Sequence, residues 1–559
     1  MSTRHARLSV LLVVLSAACS SAPPHPLTLA EMPDINTGAI LADTKKLSSD
    51  EFEGRLPGTK GEQLTAQYLI DQFKAAGAVP GNPDGSWSQK VPLVSITARD
   101  QSPFVFKKGG QSLSLTPQRD VVAFSQHVTE AIAVKDADVV FVGYGVQAPE
   151  FDWDDFKGVD VKGKTILVLV NDPPVSDPNA PGGLDPKTFG GTAMTYYGRW
   201  TYKYEKAAEM GAAAVLIVHE TAPAGYPWNV VQGFGGERFD LVTPDKNMGR
   251  AAIQGWISLD AATKLFKLAG LDYQKEKAVA ATRAFKPVPL KLSGSMSFKQ
   301  TLKTVDSQNI VAKIPGSDPA LQNEYVVYSA HWDHFGIGTP VNGDSIYNGA
   351  RDNASGTAMV LELAREFKKV TPAPKRSILL VAVTSEEQGL LGSEYFAKFP
   401  PYPVTKILAN INVDEINVWG RTKDVTIVGL GASDLDDYAR DAAAEQGRTL
   451  RPDSEPEKGF YYRSDHFNFA KVGIPALDPD SGVDFIGKPP GYGQEKRDEW
   501  TTKFYHQPSD QVQDWWDLSG AAEDGKLFFA IGYRVANADK FPEWKPGNEF
   551  KAIRDKSMK

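Results

Sequence analysis

Residues 378–387, ILLVAVTSEE, decide how the rest of the chain is read. A near-continuous apolar run with no polar alternation is the mark of a strand buried on both faces, as in a mainly parallel sheet covered by helices. Two glutamates follow at its carboxyl end, where open α/β sheets collect their ligands. The same arrangement recurs on either side. YVVYS at 325–329 leads to His331, and ILANINV at 407–413 closes on Asp414. A helical pattern at 355–368 lies between the first two strands, the right length for a crossover between parallel neighbours. Scattered surface carboxylates would not track strand ends in this way.

Working outward, five side chains form a candidate metal set: His331, Asp352, Glu387, Asp414 and His506, with Glu386 beside one of them. Two close divalent cations need several carboxylates to offset their charge, imidazoles on the outer faces, and one further carboxylate to move protons. Groups so far apart in the chain meet only in a folded core.

The length of 559 residues exceeds what one hydrophobic core supports and implies two or more domains. Composition is globular, with 42% apolar and 23% charged residues. A formal net charge of −8 argues against nucleic acid as a partner, because phosphate binding needs a basic face. No obligate protein partner is evident either.

At the amino terminus, Arg4 and Arg7 precede an apolar run at 8–15, then small residues and Cys19, the only cysteine. The run is too short to cross a bilayer core of ~30 Å and reads as an export signal over 1–19. Its end resembles a bacterial lipoprotein lipobox, although Ser16 stands where leucine is commoner. That resemblance implies a lipidated Cys19 tethering the protein to a membrane, in the periplasm or on the outer membrane; the alternative is plain cleavage and release. Residues 20–33, with Pro23, Pro24 and Pro26, read as a tether. With no other thiol, any transition-metal site must use His, Asp and Glu.

Residues 34–121 read as the first part of a catalytic domain, opening on a polar loop at 49–61 and a helix at 61–76 with Leu64, Tyr68, Leu69 and Phe73 on one face. The rhythm then changes. Over 122–290 short apolar strands alternate with glycine-rich turns, as in 138–145, 164–170 and 213–220, with one helix at 202–210. This segment reads as an inserted, smaller, β-rich α/β module, and KYEKAAEMGAAAVLIVHE within it resembles the protease-associated domain found inserted in several peptidase families. Residues 291–559 resume the catalytic domain, and 478–500 reads as a Gly- and Pro-rich loop bordering the cleft.

Six stretches then match a family in order: SAHWDHFG (329–336), GARDNASGTA (349–358), TSEEQGLLGS (384–393), NVDEIN (412–417), SDHFNFAKVGIPAL (464–477) and YHQPSD (505–510). They resemble the co-catalytic zinc aminopeptidases related to glutamate carboxypeptidase, glutaminyl cyclase and transferrin receptor. The resemblance implies a zinc-exopeptidase-like α/β fold, with a mainly parallel central sheet flanked by helices, and two Zn2+ ions. Carried over position by position, Asp352 bridges both ions, His331 and Asp414 hold one, and Glu387 and His506 hold the other. Glu386 is the general base and acid, and Tyr505 stabilises the tetrahedral oxyanion. Asp333 orients His331. His334 reads as a packing or supporting group, and His466 as a residue that either lines the substrate pocket or bonds within a turn.

The resulting expectation is an exported aminopeptidase acting on peptides through a metal-bridging hydroxide. The runner-up is a carboxypeptidase like glutamate carboxypeptidase, which calls for a basic cluster at the site; Arg351 and Arg463 are the nearby cations. Glutaminyl cyclase activity and a metal-free, receptor-like binding role are the remaining readings.

Overall fold

The computed structural model describes residues 27–559 except 181 and 234. The export signal, Cys19 and the first half of the tether lie outside the described residues. Neighbouring strands run in the order Val79–Pro80, the end of Val288–Ile314, Ser377–Val383, Tyr325–His331, Ile407–Asn412, Ala476–Asp480, Asp424–Val428 and Thr449–Pro452. The four central strands, from Ser377–Val383 to Ala476–Asp480, are mutually parallel. The pairings just outside that group, with Val288–Ile314 and with Asp424–Val428, are antiparallel.

The apolar runs are continuous because both faces of the sheet are covered. Ile378, Leu380 and Ala382 point into one core with Val326 and Tyr328, while Leu379, Val381 and Val383 point into another with Val311 and Val327. Helices Gly356–Lys369 and Ser519–Asn537 cover the first face, with the amino-terminal helices Thr37–Leu47 and Lys60–Ala75. Leu391–Lys398 and His466–Lys471 pack on the second. Contact on the first face is close at Gly532, where an added Cβ would lie 1.9 Å from Tyr328 Oη. That hydroxyl donates to Phe528 O at 2.7 Å, which fixes the long helix across the sheet.

A second group of strands, between Ala131 and Ser258, continues the same sheet. Thr165–Leu169 lies between Ala131–Phe141 and Ala214–His219, parallel to both, and Ala214–His219 is parallel to Ile253–Ser258. Alternate residues again feed two cores: Leu167, Leu216 and Val218 pack with Phe266, and Val168, Val215 and Ile217 with Tyr204. The first of these cores also takes in Phe104, Phe106 and Phe298, on either side of the segment 122–290.

One strand of 27 residues, Val288–Ile314, joins the two parts. Its first half pairs with Ala131–Phe141 and its last residues with Ser377–Val383. The alternating burial from Leu290 to Gln300 is the period-two signature of a strand with one covered face.

Three of the central parallel strands end together. His331 is the last residue of its strand, Glu386 lies three residues beyond Val383, and Asp414 two beyond Asn412. The loops that follow therefore converge on one rim of the sheet.

Candidate metal centre

At that rim Asp352 stands between two imidazoles. Its Oδ1 is 3.3 Å from His331 Nε2 and its Oδ2 is 3.3 Å from His506 Nε2. Each histidine has a second carboxylate: His331 Nε2 is 3.2 Å from Asp414 Oδ1, and His506 Nε2 is 3.2 Å from Glu387 Oε2. Glu386 completes the group, its Oε2 3.9 Å from His331 Nε2. All six residues named from the sequence for metal binding and proton transfer are thus gathered around one carboxylate.

Local backbone geometry explains how loops aim these groups. Ser385, Glu415 and His506 have positive φ, so the chain turns sharply beside each acidic or imidazole group. Gly349, at φ 53°, begins the turn that carries Asp352. A Cβ there would lie 2.4 Å from Asp352 O and 2.5 Å from His334 Cγ, so no other residue fits.

A ring of buried bonds supports the set. Asp333 Oδ1 accepts the backbone N–H of Glu386 at 3.0 Å and lies 3.7 Å from His331 Nδ1. His334 Nδ1 sits 2.6 Å from Glu387 Oε1, the supporting contact expected of it. Ser464 Oγ donates to Asp414 Oδ2 at 2.6 Å and accepts from Asn412 Nδ2 at 2.8 Å. Tyr505 stacks on His506 with ring centroids 3.7 Å apart and keeps 42% of its surface exposed.

His466 is placed differently. It has no exposed surface, its ring packs edge-on against Tyr461, and Nδ1 lies 3.6 Å from Asp478 Oδ2. Burial pushes its pKa down to about 3, so it is a neutral, packed imidazole. Its place is beneath the site, in contact with the Asp478–Asn412 pair, and a role in meeting substrate gains no support from it.

The loop expectation for 478–500 is also corrected. Ala476–Asp480 is a strand and Tyr492–Lys503 a helix that leads directly into Tyr505 and His506. Pro489, Pro490 and Gly491 mask this helix in the sequence; Gly491, at φ 87°, is its amino-terminal cap.

The charges of the cluster act strongly on one another. Burial opposes charge on His331, yet Glu386, Asp414 and Asp352 outweigh it and hold the imidazolium well above its usual range. His506 is likewise raised to about 10 against burial, chiefly by Glu387 and Asp352. Burial would raise Asp352, but its two imidazoles hold it well below the carboxylate range. Glu386 goes the other way: burial, then the charges of Asp414 and Glu387, push it well above. The cluster is a concentration of carboxylates whose charge holds protons on its neighbouring groups.

Divalent cations fit the same place. In a tetrahedral zinc shell with bonds of about 2.0–2.2 Å, neighbouring ligand atoms stand roughly 3.3–3.6 Å apart. The 3.2 and 3.3 Å separations here match that spacing on both sides of Asp352. Every ligand atom is a nitrogen or oxygen, and every imidazole nitrogen concerned is free to be deprotonated by a metal.

Two residues of the site escaped the sequence reading. Arg55, in the loop before Lys60–Ala75, donates to Trp332 O and Gly349 O. Asp510 accepts from the amides of Arg351 and Asp352. Asp510 lay inside a quoted motif, four residues after His506, and that proximity was the available signal.

Comparison with known proteins gives four matches. The model of Peptidase family M28 matches residues 309–529. A Pyrenophora teres f. teres protein named "Probable zinc metalloprotease" is 39% identical over 110 residues, 20% of this chain and 22% of its own length. Leupeptin-inactivating enzyme 1 of Streptomyces exfoliatus is 28% identical over 223 residues, 39% of this chain and 43% of its own. The chain therefore spans less than half the length of these curated relatives. Among solved structures, an aminopeptidase from Aneurinibacillus sp. strain AM-1 superposes with a TM-score of 0.48 at 18% identity, covering 91% of this chain and 96% of that one.

Proposed function

Residues 309–529 belong to Peptidase family M28, and on that premise we propose that the chain is a di-zinc aminopeptidase that removes amino-terminal residues from peptides. The observation that carries this reading is the position of Asp352, one oxygen toward each of two histidine–carboxylate pairs. His331 and Asp414 would hold one cation, His506 and Glu387 the other, with Asp352 shared. When bound, such a pair polarises the scissile carbonyl and makes the attacking water acidic near neutral pH.

The protein's own groups supply the rest. Glu386 takes the proton of the attacking water and delivers it to the leaving amine, a role worth ~10²- to 10⁴-fold. Its approach to the site is fixed by the bond from its backbone N–H to Asp333. Tyr505 presents its hydroxyl to the oxyanion, where a positioned donor contributes ~10²- to 10³-fold.

A preference for the amino end rests on charge. Arg351, a cation the carboxypeptidase reading would need, is engaged elsewhere: Nη1 pairs with Glu415 Oε2 at 2.7 Å and Nε donates to Ile416 O at 3.1 Å. Its guanidinium sits 4.5 and 4.7 Å from the rings of Trp419 and Trp500. The other candidate, Arg463, donates to Lys458 O at 2.6 Å.

Export through the signal at 1–19, with lipidation of Cys19 as a membrane tether, is part of the same proposal. No helix among the described residues is long and apolar enough to cross a membrane. Purified protein assayed on peptides blocked at one end or the other tests the activity. Cleavage of carboxyl-amidated but not amino-acetylated peptides is expected; the reverse pattern would establish the carboxypeptidase alternative.

A further inference from the structure

The loop 348–352, which delivers Asp352, is gripped from two sides by opposite charges. Arg55 has no exposed surface, and its guanidinium donates only to carbonyls: Nε to Trp332 O at 2.7 Å, Nη1 to Leu47 O at 2.9 Å and Asn348 O at 2.6 Å, Nη2 to Gly349 O at 2.8 Å. Asp510, equally buried, takes the loop's amides. Its Oδ1 accepts from Arg351 N–H at 2.9 Å and its Oδ2 from Asp352 N–H at 3.1 Å, while its own carbonyl accepts from Ala350 N–H at 3.1 Å.

These bonds join the two halves of the centre. Trp332 is the residue after His331, so Arg55 ties that strand end to Gly349. Asp510 lies four residues after His506 and ties that turn to the amide of Asp352 itself. A fully buried guanidinium without a contacting carboxylate is costly, so its retention here calls for a compensating field. Burial lowers the Arg55 pKa only to about 10, and the facing charges of Asp510, Asp333, Asp352 and Glu387 keep it cationic.

We propose that Arg55 and Asp510 are positioning residues that set the distance across which Asp352 serves both histidine–carboxylate pairs, and thereby set the affinity for the second cation. This rests on the two-cation reading above. Metal ligation tolerates displacements of only about 0.2 Å, so a loop held on one side alone would satisfy one half of the centre and strain the other. Neither residue touches substrate or cation.

The test is zinc titration of metal-free Asp510→Asn and Arg55→Lys by calorimetry, beside thermal unfolding of the same metal-free proteins. In Asp510→Asn an amide N–H₂ replaces one acceptor and faces a backbone N–H; in Arg55→Lys the charge remains but the planar fork is lost. Both variants are expected to fold, to bind the first equivalent within a few-fold of wild type, and to bind the second about 10- to 100-fold more weakly. Two equivalents bound with wild-type affinities in both variants would overturn the proposal. So would metal-free variants that are unfolded at 25 °C, because the residues would then serve stability alone. Wild-type protein that binds fewer than two equivalents contradicts the metal reading itself, and is distinguished by appearing without any substitution.

Discussion

Asp333 and Glu386 are joined through one oxygen: Asp333 Oδ1 accepts the Glu386 backbone N–H at 3.0 Å and stands 3.7 Å from His331 Nδ1. A single buried carboxylate thus steadies the loop of the glutamate proposed for proton transfer and faces the His331 imidazole, whose Nδ1 lies 3.3 Å from the backbone carbonyl of the same Asp333. Burial pushes its pKa up to about 7, against the pull of His331. Asp333→Asn keeps an acceptor for the N–H but removes the charge behind the ring. Zinc affinity is expected to fall about 10- to 100-fold, read by competition with a chelating dye. Unchanged affinity would remove Asp333 from the supporting role.

Glu386→Gln should separate binding from turnover. The glutamine has nearly the same shape but accepts no proton, so both metal equivalents are retained while kcat falls ~10²- to 10⁴-fold. Asp352→Asn is the contrasting variant, expected to lose metal as well as activity. Elemental analysis beside peptide hydrolysis reads both. Near-full rates in the glutamine variant would show that Glu386 moves no proton.

Tyr505→Phe removes one hydroxyl while leaving the stack on His506, whose ring centroid is 3.7 Å away. Expected is a fall in kcat of ~10²- to 10³-fold with KM and metal content close to wild type. A rise in KM alone would mean that the phenol binds substrate uniformly and does nothing special for the oxyanion.

Metal uptake should release protons. At neutral pH the metal-free protein holds His506, raised to about 10, and His331, raised well above its usual range, as imidazolium. Cations bind only the neutral rings, so uptake should expel about two protons and strengthen as pH rises. The stability of the metal-free protein follows the opposite course. A histidine with a raised folded pKa contributes fully below its ordinary 6.5, and that contribution fades as pH climbs toward about 10. Glu387, held at about 2 by its imidazole neighbours against burial, contributes above its ordinary 4.5 and loses that contribution as pH falls toward 2. Calorimetry in buffers of differing ionisation enthalpy measures the protons; none released would contradict the electrostatic picture.

The parts of this molecule legible in the sequence are those where one physical rule acts on consecutive residues. The runs at 325–329, 378–383 and 407–413 fall within or nearly coincide with real strands, because burial on both faces removes polar residues altogether. Their ends locate His331, Glu386, Glu387 and Asp414, since parallel strands bring their carboxyl ends to one rim. The strand Val288–Ile314 was harder to see: its alternating first half pairs with Ala131–Phe141 and its end with Ser377–Val383, so no single period runs through it. Arg55 and Asp510 follow no period at all. Each is a single residue in a loop, and its partners are backbone atoms of a distant segment, which carry no trace in side-chain identity.

The central relationship is Asp352 serving two cations at once. Crystals of wild-type protein grown with zinc, measured above and below the zinc absorption edge, address this directly. Two anomalous peaks about 3.5–4 Å apart are expected, one bordered by His331 and Asp414, the other by Glu387 and His506, with an oxygen of Asp352 toward each. A single peak, or two peaks that Asp352 does not share, would contradict it.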